Sequence, residues 1–95
     1  MEFPAGGRRI DLLAVDNQDG LVVIELKASR AYDRVVGQTA RYMAWVQRNM
    51  DTDTPVRGII VAHKITEDLR LAASNSKNIS LMEYKLKFEL KNVDS

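Results

Sequence analysis

Residues 10–29, IDLLAVDNQDGLVVIELKAS, contain two apolar runs separated by the turn-forming residues NQDG. Residues 8–16 alternate between two faces, and residues 20–28 are rich in β-branched side chains, as strands are. Their short connection predicts an antiparallel hairpin. Asp11, Glu25 and Lys27 interrupt the apolar runs, although charged side chains are rarely buried without a partner. The sequence therefore predicts that the fold begins with a hairpin and that its charged residues have a specific partner or function.

The composition is typical of one globular domain. The chain has 95 residues, of which 45% are hydrophobic and 28% charged, and its formal net charge is +1. We expect one domain over residues 1–95, with its core at about residues 6–90. The absence of cysteine and the presence of one histidine, His63, exclude disulfides, a thiolate metal site and a histidine-rich zinc site. No apolar run approaches the roughly 20 residues that cross a bilayer, so we expect a cytoplasmic protein without a membrane partner.

The rest of the chain predicts a mixed α/β sheet. Residues 32–50 predict an amphipathic helix, because apolar residues recur there at steps of three and four: Val36, Ala40, Met43, Val46 and Met50. Residues 56–62, VRGIIVA, are typical of a strand covered on both faces. Thr66 is the expected N-cap of a second helix that ends near residue 74. Residues 79–90 alternate like a half-exposed strand at a sheet edge, which gives the order β-β-α-β-α-β.

The register of the hairpin determines how its charges meet. Opposed residues of an antiparallel pair share a face. One register sets Asp11 opposite Glu25, and the register two residues further sets Asp11 opposite Lys27; both leave all three charges on one face. The pair Asp19-Gly20 suits a three-residue loop over residues 18–20 with Gly20 left-handed. That loop predicts the second register.

The two carboxylates have two interpretations. In the first, they form a salt-bridged triad with Lys27 on a solvated patch. In the second, Asp11 and Glu25 hold a divalent cation, which removes the repulsion between the like charges. Oxygen ligands without histidine or cysteine favour Mg²⁺ or Mn²⁺. Apolar residues flank the charges on both hairpin faces, and a buried ion pair is weak support for stability, so the metal site is the preferred hypothesis.

The arrangement Ile10-Asp11, thirteen residues, then Glu25-Leu26-Lys27 resembles the D-x(n)-(D/E)-x-K signature of the PD-(D/E)XK nuclease superfamily, with Ile in place of Pro. Over residues 6–90, the chain resembles the C-terminal catalytic domain of the NucS/EndoMS family of DNA endonucleases, in GRRIDLLAVD, GLVVIELKAS, VGQTARYMAWV, VRGIIVAHKITEDLRLAA and ISLMEYKLKFEL. The resemblance implies a restriction-endonuclease-like fold, a mixed sheet flanked by helices. It also implies that the fold's N-terminal helix, with a further acid, and the family's N-terminal DNA-binding domain are missing. Only Glu2 precedes Asp11 as an acid.

The same resemblance implies site residues. Asp11 and Glu25 would hold the Mg²⁺ or Mn²⁺ ion, while Lys27 would orient or activate the attacking water and steady phosphate charge. Gln38 and Tyr42 match the family's Q-x-x-x-Y element and share a helix face. The plainer interpretation is a polar helix edge with Tyr42 in the core. Five arginines around the hairpin and the start of the helix are the expected DNA contacts, unless they are merely solvated: Arg8, Arg9, Arg30, Arg34 and Arg41.

These observations predict a metal-dependent DNA endonuclease domain of the DNA repair class, which hydrolyses phosphodiester bonds in mismatched, flapped or branched DNA. One alternative is a non-catalytic nucleic-acid-binding or assembly module with a degenerate nuclease fold. Another is a dimerising scaffold that pairs through residues 79–90. A homodimer is expected if both DNA strands are cut, because that requires two sites.

Overall fold

The computed structural model describes residues 3–5, 8–27, 32–85 and 87–93, which form six strands and two helices. Their order is β1 (Phe3–Ala5), β2 (Arg8–Ile10), β3 (Leu12–Val15), β4 (Leu21–Lys27), α1 (Tyr32–Asn49), β5 (Arg57–Ala62), α2 (Glu67–Ala73) and β6 (Ile79–Glu83). β1 and β2 pair as a separate antiparallel ribbon, and the main sheet has the order β3-β4-β5-β6. β3 is antiparallel to β4, whereas β4, β5 and β6 are parallel. The predicted order β-β-α-β-α-β is confirmed for the main sheet, and β1 is an additional strand.

Both described helices pack on the same face of the main sheet. One core cluster joins Val23 of β4 to Tyr42 and Val46 of α1. A second cluster joins both helices to β5 and contains Val35, Val36, Ile60, Ala62, Leu69 and Ala73. Burial of these apolar side chains is the main source of stability, at about 25 cal/mol per Å² of apolar surface. The helices therefore cover the face to which Val23 and Ile60 point.

Helix α1 runs antiparallel to the strands beneath it. Its first turns pack against the end of β5, since Val35 and Val36 share a cluster with Ala62. Its middle lies over the start of β5, where Gly58 approaches Thr39 and Met43. A Cβ atom on Gly58 would lie 2.6 Å from Met43 Sδ and 2.9 Å from Thr39 Cγ2. Glycine at this position thus permits the close approach of helix and sheet.

Both predicted helices are confirmed, with one change in the buried stripe. Ala40, which was predicted to lie on the apolar face of the helix, is exposed, whereas the neighbouring Thr39 is fully buried. Thr39 is tolerated there because its Oγ1 donates a hydrogen bond to the Val35 carbonyl at 2.7 Å. Thr66 caps α2 as predicted, its side chain accepting a hydrogen bond from the backbone N–H of Leu69 at 3.2 Å. Neither of these helices is long and apolar enough to cross a membrane.

The predicted strand over residues 79–90 is wrong in its extent, because β6 ends at Glu83. The backbone N–H of Tyr84 donates to the carbonyl of Ala62 at 3.1 Å, and Ala62 is the last residue of β5. Beyond this bond β5 offers no further partner. Residues 87–93 form neither helix nor strand. The predicted edge position is confirmed, since β6 is the last strand of the main sheet.

The expectation that the central strands are covered on both faces is wrong for most of the described positions on the side away from the helices. In β5, Ile60 and Ala62 on the helix side are buried, whereas Ile59 and Val61 on the other side are only half-buried. On the same side of β4, Leu26 is 51% exposed, whereas Val22 is only 4% exposed. The physical reason is that α1 and α2 lie on one side of the sheet.

Candidate functional site

The turn between β3 and β4 sets the register of the two carboxylates. Asp16 donates its backbone N–H to the Gly20 carbonyl at 2.9 Å, and Asp19 has a φ of 62°. The loop is therefore residues 17–19, a three-residue loop as predicted, but its left-handed residue is Asp19 instead of Gly20. The observed pairs Leu12–Ile24 and Val15–Leu21 continue to Asp11 opposite Glu25. The predicted register, with Asp11 opposite Lys27, is wrong.

The Asp16 carboxylate explains the position of this turn. Its Oδ1 accepts hydrogen bonds from the backbone N–H groups of Gln18 and Gly20, both at 2.8 Å. Its Oδ2 accepts one from Arg57 Nη2 at 2.9 Å. A Cβ on Gly20 would lie 2.7 Å from Asp16 Oδ2, so glycine leaves room for the carboxylate. The two backbone N–H groups first, and then Arg57, hold the pKa of Asp16 below its ordinary value of 3.8.

Asp11 lies at a bend between β2 and β3, where it is half-buried. Its Oδ2 accepts a hydrogen bond from the backbone N–H of Leu26 at 2.9 Å. In an uninterrupted ladder a backbone carbonyl would accept such a bond, so the side chain here takes the place of the backbone. This replacement divides the strand expected over residues 8–16 into β2 and β3. The same hydrogen bond holds the Asp11 carboxylate at Leu26, the residue that follows Glu25.

Glu25 is buried in β4, with only 2% of its surface exposed. It lies two residues after Val23, on the helix side of the sheet, and its register partner in β5 is Ile60. A carboxylate buried to this extent does not lie on a solvated patch, so that part of the first interpretation is wrong for Glu25. Lys27 is the last residue of β4 and pairs with Ala62, but its side chain lies outside the described residues.

Helix α1 places Gln38 at the level of Glu25. Tyr42 is 6% exposed and packs with Val23, as the core interpretation expects. Gln38, half-buried, lies one turn before Tyr42, about 6 Å along the helix. Two residues of strand span about 6.6 Å. Because α1 is antiparallel to β4 and Tyr42 packs against Val23, the helical turn from Tyr42 back to Gln38 has about the same length as the stretch of β4 from Val23 to Glu25.

The expected DNA-contacting arginines are placed only in part. Arg34 and Arg41 are exposed on α1 and, seven residues apart, lie on the same side of the helix. Arg8 and Arg9 belong to β2, but their side chains lie outside the described residues, as does all of Arg30.

The donor set fits a magnesium or manganese ion better than a zinc or copper ion, which histidine and cysteine ligands favour. No group of three or more His, Cys, Asp and Glu side chains that could hold a metal occurs in the described part of the chain. Asp11 and Glu25 supply oxygen atoms alone. Mg²⁺ is commonly bound through one or two carboxylates, with water and substrate phosphate completing its shell. Two carboxylates at opposed positions of one hairpin therefore match this ion.

His63 follows β5 and is exposed. Its ring centroid lies 5.3 Å from that of Tyr84, with the rings tilted by 52°. This contact links the ends of β5 and β6.

The fold and the site define an α/β domain with two carboxylates at opposed positions of its β3–β4 hairpin. The family model for the Endonuclease NucS C-terminal domain matches residues 2–94. The chain therefore belongs to the family of Endonuclease NucS C-terminal domains, as its resemblance implied.

Curated relatives show the same similarity. Endonuclease NucS 1 of Halobacterium salinarum is 37% identical over 69 residues, which cover 73% of this chain and 28% of that protein. Endonuclease NucS of Frankia alni is 34% identical over 74 residues, which cover 78% of this chain and 33% of that protein. The chain thus spans a third or less of the length of these relatives.

Solved structures confirm the expected α/β fold. The crystal structure of a repair endonuclease from Pyrococcus abyssi matches with a TM-score of 0.73 and 27% identity, over 88% of this chain and 36% of that chain. EndoMS in the EndoMS-dsDNA2 complex matches with a TM-score of 0.69 and 25% identity, over 88% of this chain and 35% of that chain.

Proposed function

We propose that this chain is the catalytic domain of a metal-dependent DNA endonuclease of the repair class, which acts in the cytoplasm. The observation that carries the proposal is the placement of Asp11 and Glu25. Asp11 Oδ2 accepts a hydrogen bond at 2.9 Å from the backbone N–H of Leu26, the residue after Glu25, and Glu25 itself is 2% exposed. The names of the relatives, which are endonucleases, and the dsDNA complex of a structural neighbour support it.

In this function Asp11 and Glu25 hold Mg²⁺ or Mn²⁺. Such an ion, when bound, neutralises phosphate charge and lowers the pKa of a bound water. The protein supplies rigidity: Glu25 is fixed by the central strand, and the Leu26 N–H holds the Asp11 carboxylate. Groups that are already oriented cost no reorganisation during the reaction.

The remaining proposed residues act on the substrate. Lys27 places a positive charge beside the charge that develops on the phosphate and orients the attacking water. Gln38 supplies hydrogen bonds at the level of Glu25, and Tyr42 fixes the helix that carries Gln38. The five arginines contact the DNA backbone, and the substrates are mismatched, flapped or branched DNA. A homodimer would bring two sites to the two strands.

Cleavage of branched DNA tests the proposal directly. We expect cleavage by the wild-type chain with Mg²⁺ or Mn²⁺, and a decrease of about 10²- to 10³-fold in Glu25→Gln, the range typical for loss of one electrostatic contribution. Glu67→Gln is the matched control, because Glu67 is exposed on α2. Equal cleavage by wild type and Glu25→Gln would rule out the assigned site.

A non-catalytic nucleic-acid-binding or assembly module is the second candidate. It is favoured by the absence of a third acidic or histidine ligand near Asp11 and Glu25 within the described ranges. DNA binding without metal-dependent cleavage by the wild-type chain would select this candidate.

A further inference from the structure

Three arginines form a line along the exposed side of α1. They occur at steps of seven residues, and each is exposed to solvent: Arg34, Arg41 and Arg48. The half-buried Gln38 and Trp45 lie between them at steps of four and three, so the five side chains follow one another along one side of the helix. We call these five residues the arginine stripe. Positive charge therefore recurs along this side of α1 about every 10 Å.

The guanidinium groups of the stripe differ from the other arginines whose side chains the structure describes. Arg57 pairs with Asp16 at 2.9 Å, and Arg70 lies 3.9 Å from Glu67. Within the described part of the chain, no ion pair or hydrogen bond involves the guanidinium groups of the stripe. The sequence also contains no aspartate or glutamate over residues 34–50. This side of α1 is therefore a positive surface without compensating charge.

The stability of α1 does not account for this pattern. A cation is favourable in the last turn of a helix, where Arg48 lies, but unfavourable in the first turn, where Arg34 lies. Arg41, in the middle of the helix, has Gly37 and Trp45 at the positions four residues away, where an acidic partner would stabilise the helix. An anionic ligand that runs along the helix accounts for all three arginines.

The stripe passes beside the carboxylates of the candidate site. Gln38 belongs to the stripe and lies at the level of Glu25, while Tyr42 in the adjoining row of side chains packs with Val23 of β4. Arg48 lies ten residues beyond Gln38, which is about 15 Å along the helix. At 3.4 Å per base pair, about four to five base pairs of B-DNA cover this distance.

We propose that the arginine stripe binds the phosphate backbone of a double-stranded DNA arm that extends about four to five base pairs from the reacting phosphate, with Arg48 as its far contact. The inference rests on the proposed function, which places the reacting phosphate at Glu25. Guanidinium groups donate paired hydrogen bonds to phosphate. The exposed residues Gly37 and Ala44 lie between successive arginines, and their small size leaves room for the DNA backbone.

The salt dependence of DNA binding tests the contact of Arg48. With labelled duplex DNA and fluorescence anisotropy, we expect wild type to lose about 3.5-fold more affinity than Arg48→Gln between 50 and 200 mM salt, from a slope of about −0.9 per contact. Arg48→Lys should keep the wild-type slope, because it retains the charge. Arg70→Gln is the matched control, since Arg70 is exposed on α2, outside the stripe. Equal slopes for wild type and Arg48→Gln would overturn the proposal.

A single cysteine locates the DNA arm, since the chain has none. Ala44→Cys carries a photoactivatable azide into the stripe without removing an arginine, and Ser74→Cys, exposed at the end of α2, is the control. We expect the azide at residue 44 to cross-link a flapped DNA, and the yield to fall to that of the control when the double-stranded arm on one side of the flap is removed. A yield that neither arm affects would overturn the proposal.

Cleavage of the same flapped DNA separates this inference from the proposed function. Cleavage by wild type together with an unchanged salt slope in Arg48→Gln overturns the stripe alone. The expected slopes and cross-links without cleavage support the stripe and overturn the catalytic assignment. A wild-type chain that binds single-stranded DNA but no duplex overturns the double-stranded arm, and one that binds neither overturns both proposals.

Discussion

Two carboxylates are held in position by different means. Glu25 is fixed by burial in the inner strand β4, and Asp11 by one hydrogen bond from the Leu26 N–H. The hairpin pattern of the sequence predicted that these two carboxylates lie on one face of the hairpin. The exact register could not be predicted, because it depends on the Asp16 side chain bonding two backbone N–H groups within its own turn.

The hydrogen bond of Asp11 should have a measurable effect on stability. Asp11→Asn retains a side-chain oxygen that can accept the Leu26 N–H, so we expect a nearly unchanged free energy of unfolding. Asp11→Ala removes the acceptor and should cost about 1 kcal/mol. Urea denaturation of the two variants measures the difference. Equal stability of Asn and Ala at this position would show that the bond contributes nothing.

Asp16 should make the stability of the protein depend on acid pH. Its pKa is lowered in the folded state, mainly by the N–H groups of Gln18 and Gly20. The resulting stabilisation is complete above the ordinary value of 3.8 and is lost as the pH falls through the lower folded-state pKa. Denaturation of wild type and Asp16→Asn across this window should show a flatter pH dependence in the variant. Parallel curves would contradict this role.

At the scale of elements, local signals predicted the helices and the edge position of β6. The periodic apolar residues predicted α1, and Thr66 predicted the start of α2. Other features depended on contacts between distant residues. The division of the first strand needs the bond from Asp11 to Leu26, and the end of β6 depends on where β5 ends. Local sequence patterns therefore predict neither the division of the first strand nor the end of β6.

The contact between α1 and β5 predicts opposite effects for two glycine substitutions. Gly58→Ala should destabilise the protein by about 1–3 kcal/mol, because the added Cβ would lie 2.6 Å from Met43 Sδ. Gly37→Ala should stabilise it by about 0.5–1 kcal/mol, because Gly37 is within α1 and has no atom within 4 Å of the added Cβ. Urea denaturation gives both values. A stabilising Gly58→Ala would refute the tight packing.

On the scale of the whole molecule, the family could be inferred from the sequence, whereas the metal-binding role of Asp11 and Glu25 stays a prediction. The roles of Lys27 and the arginines stay predictions, since side chains at Arg8, Arg9, Lys27 and Arg30 lie outside the described residues. Formal net charge is only +1, so DNA binding must depend on where the basic residues lie.

Salt dependence measures whether the arginines bind DNA. If all five contact phosphates of duplex DNA, affinity should fall by about 500-fold between 50 and 200 mM salt, from a slope of about −0.9 per contact. Arg34→Gln should reduce the slope by about one contact. Fluorescence anisotropy with labelled duplex DNA measures both. An affinity that does not change with salt would contradict the patch.

The central claim is that Asp11 and Glu25 together hold a divalent cation. The most direct measurement is calorimetric titration of Mn²⁺ into the wild-type chain and into Asp11→Asn/Glu25→Gln, which keeps the size of both side chains. We predict saturable binding of Mn²⁺ to wild type and none to the double variant. Equal binding by the two proteins, or no binding by either, would contradict the claim.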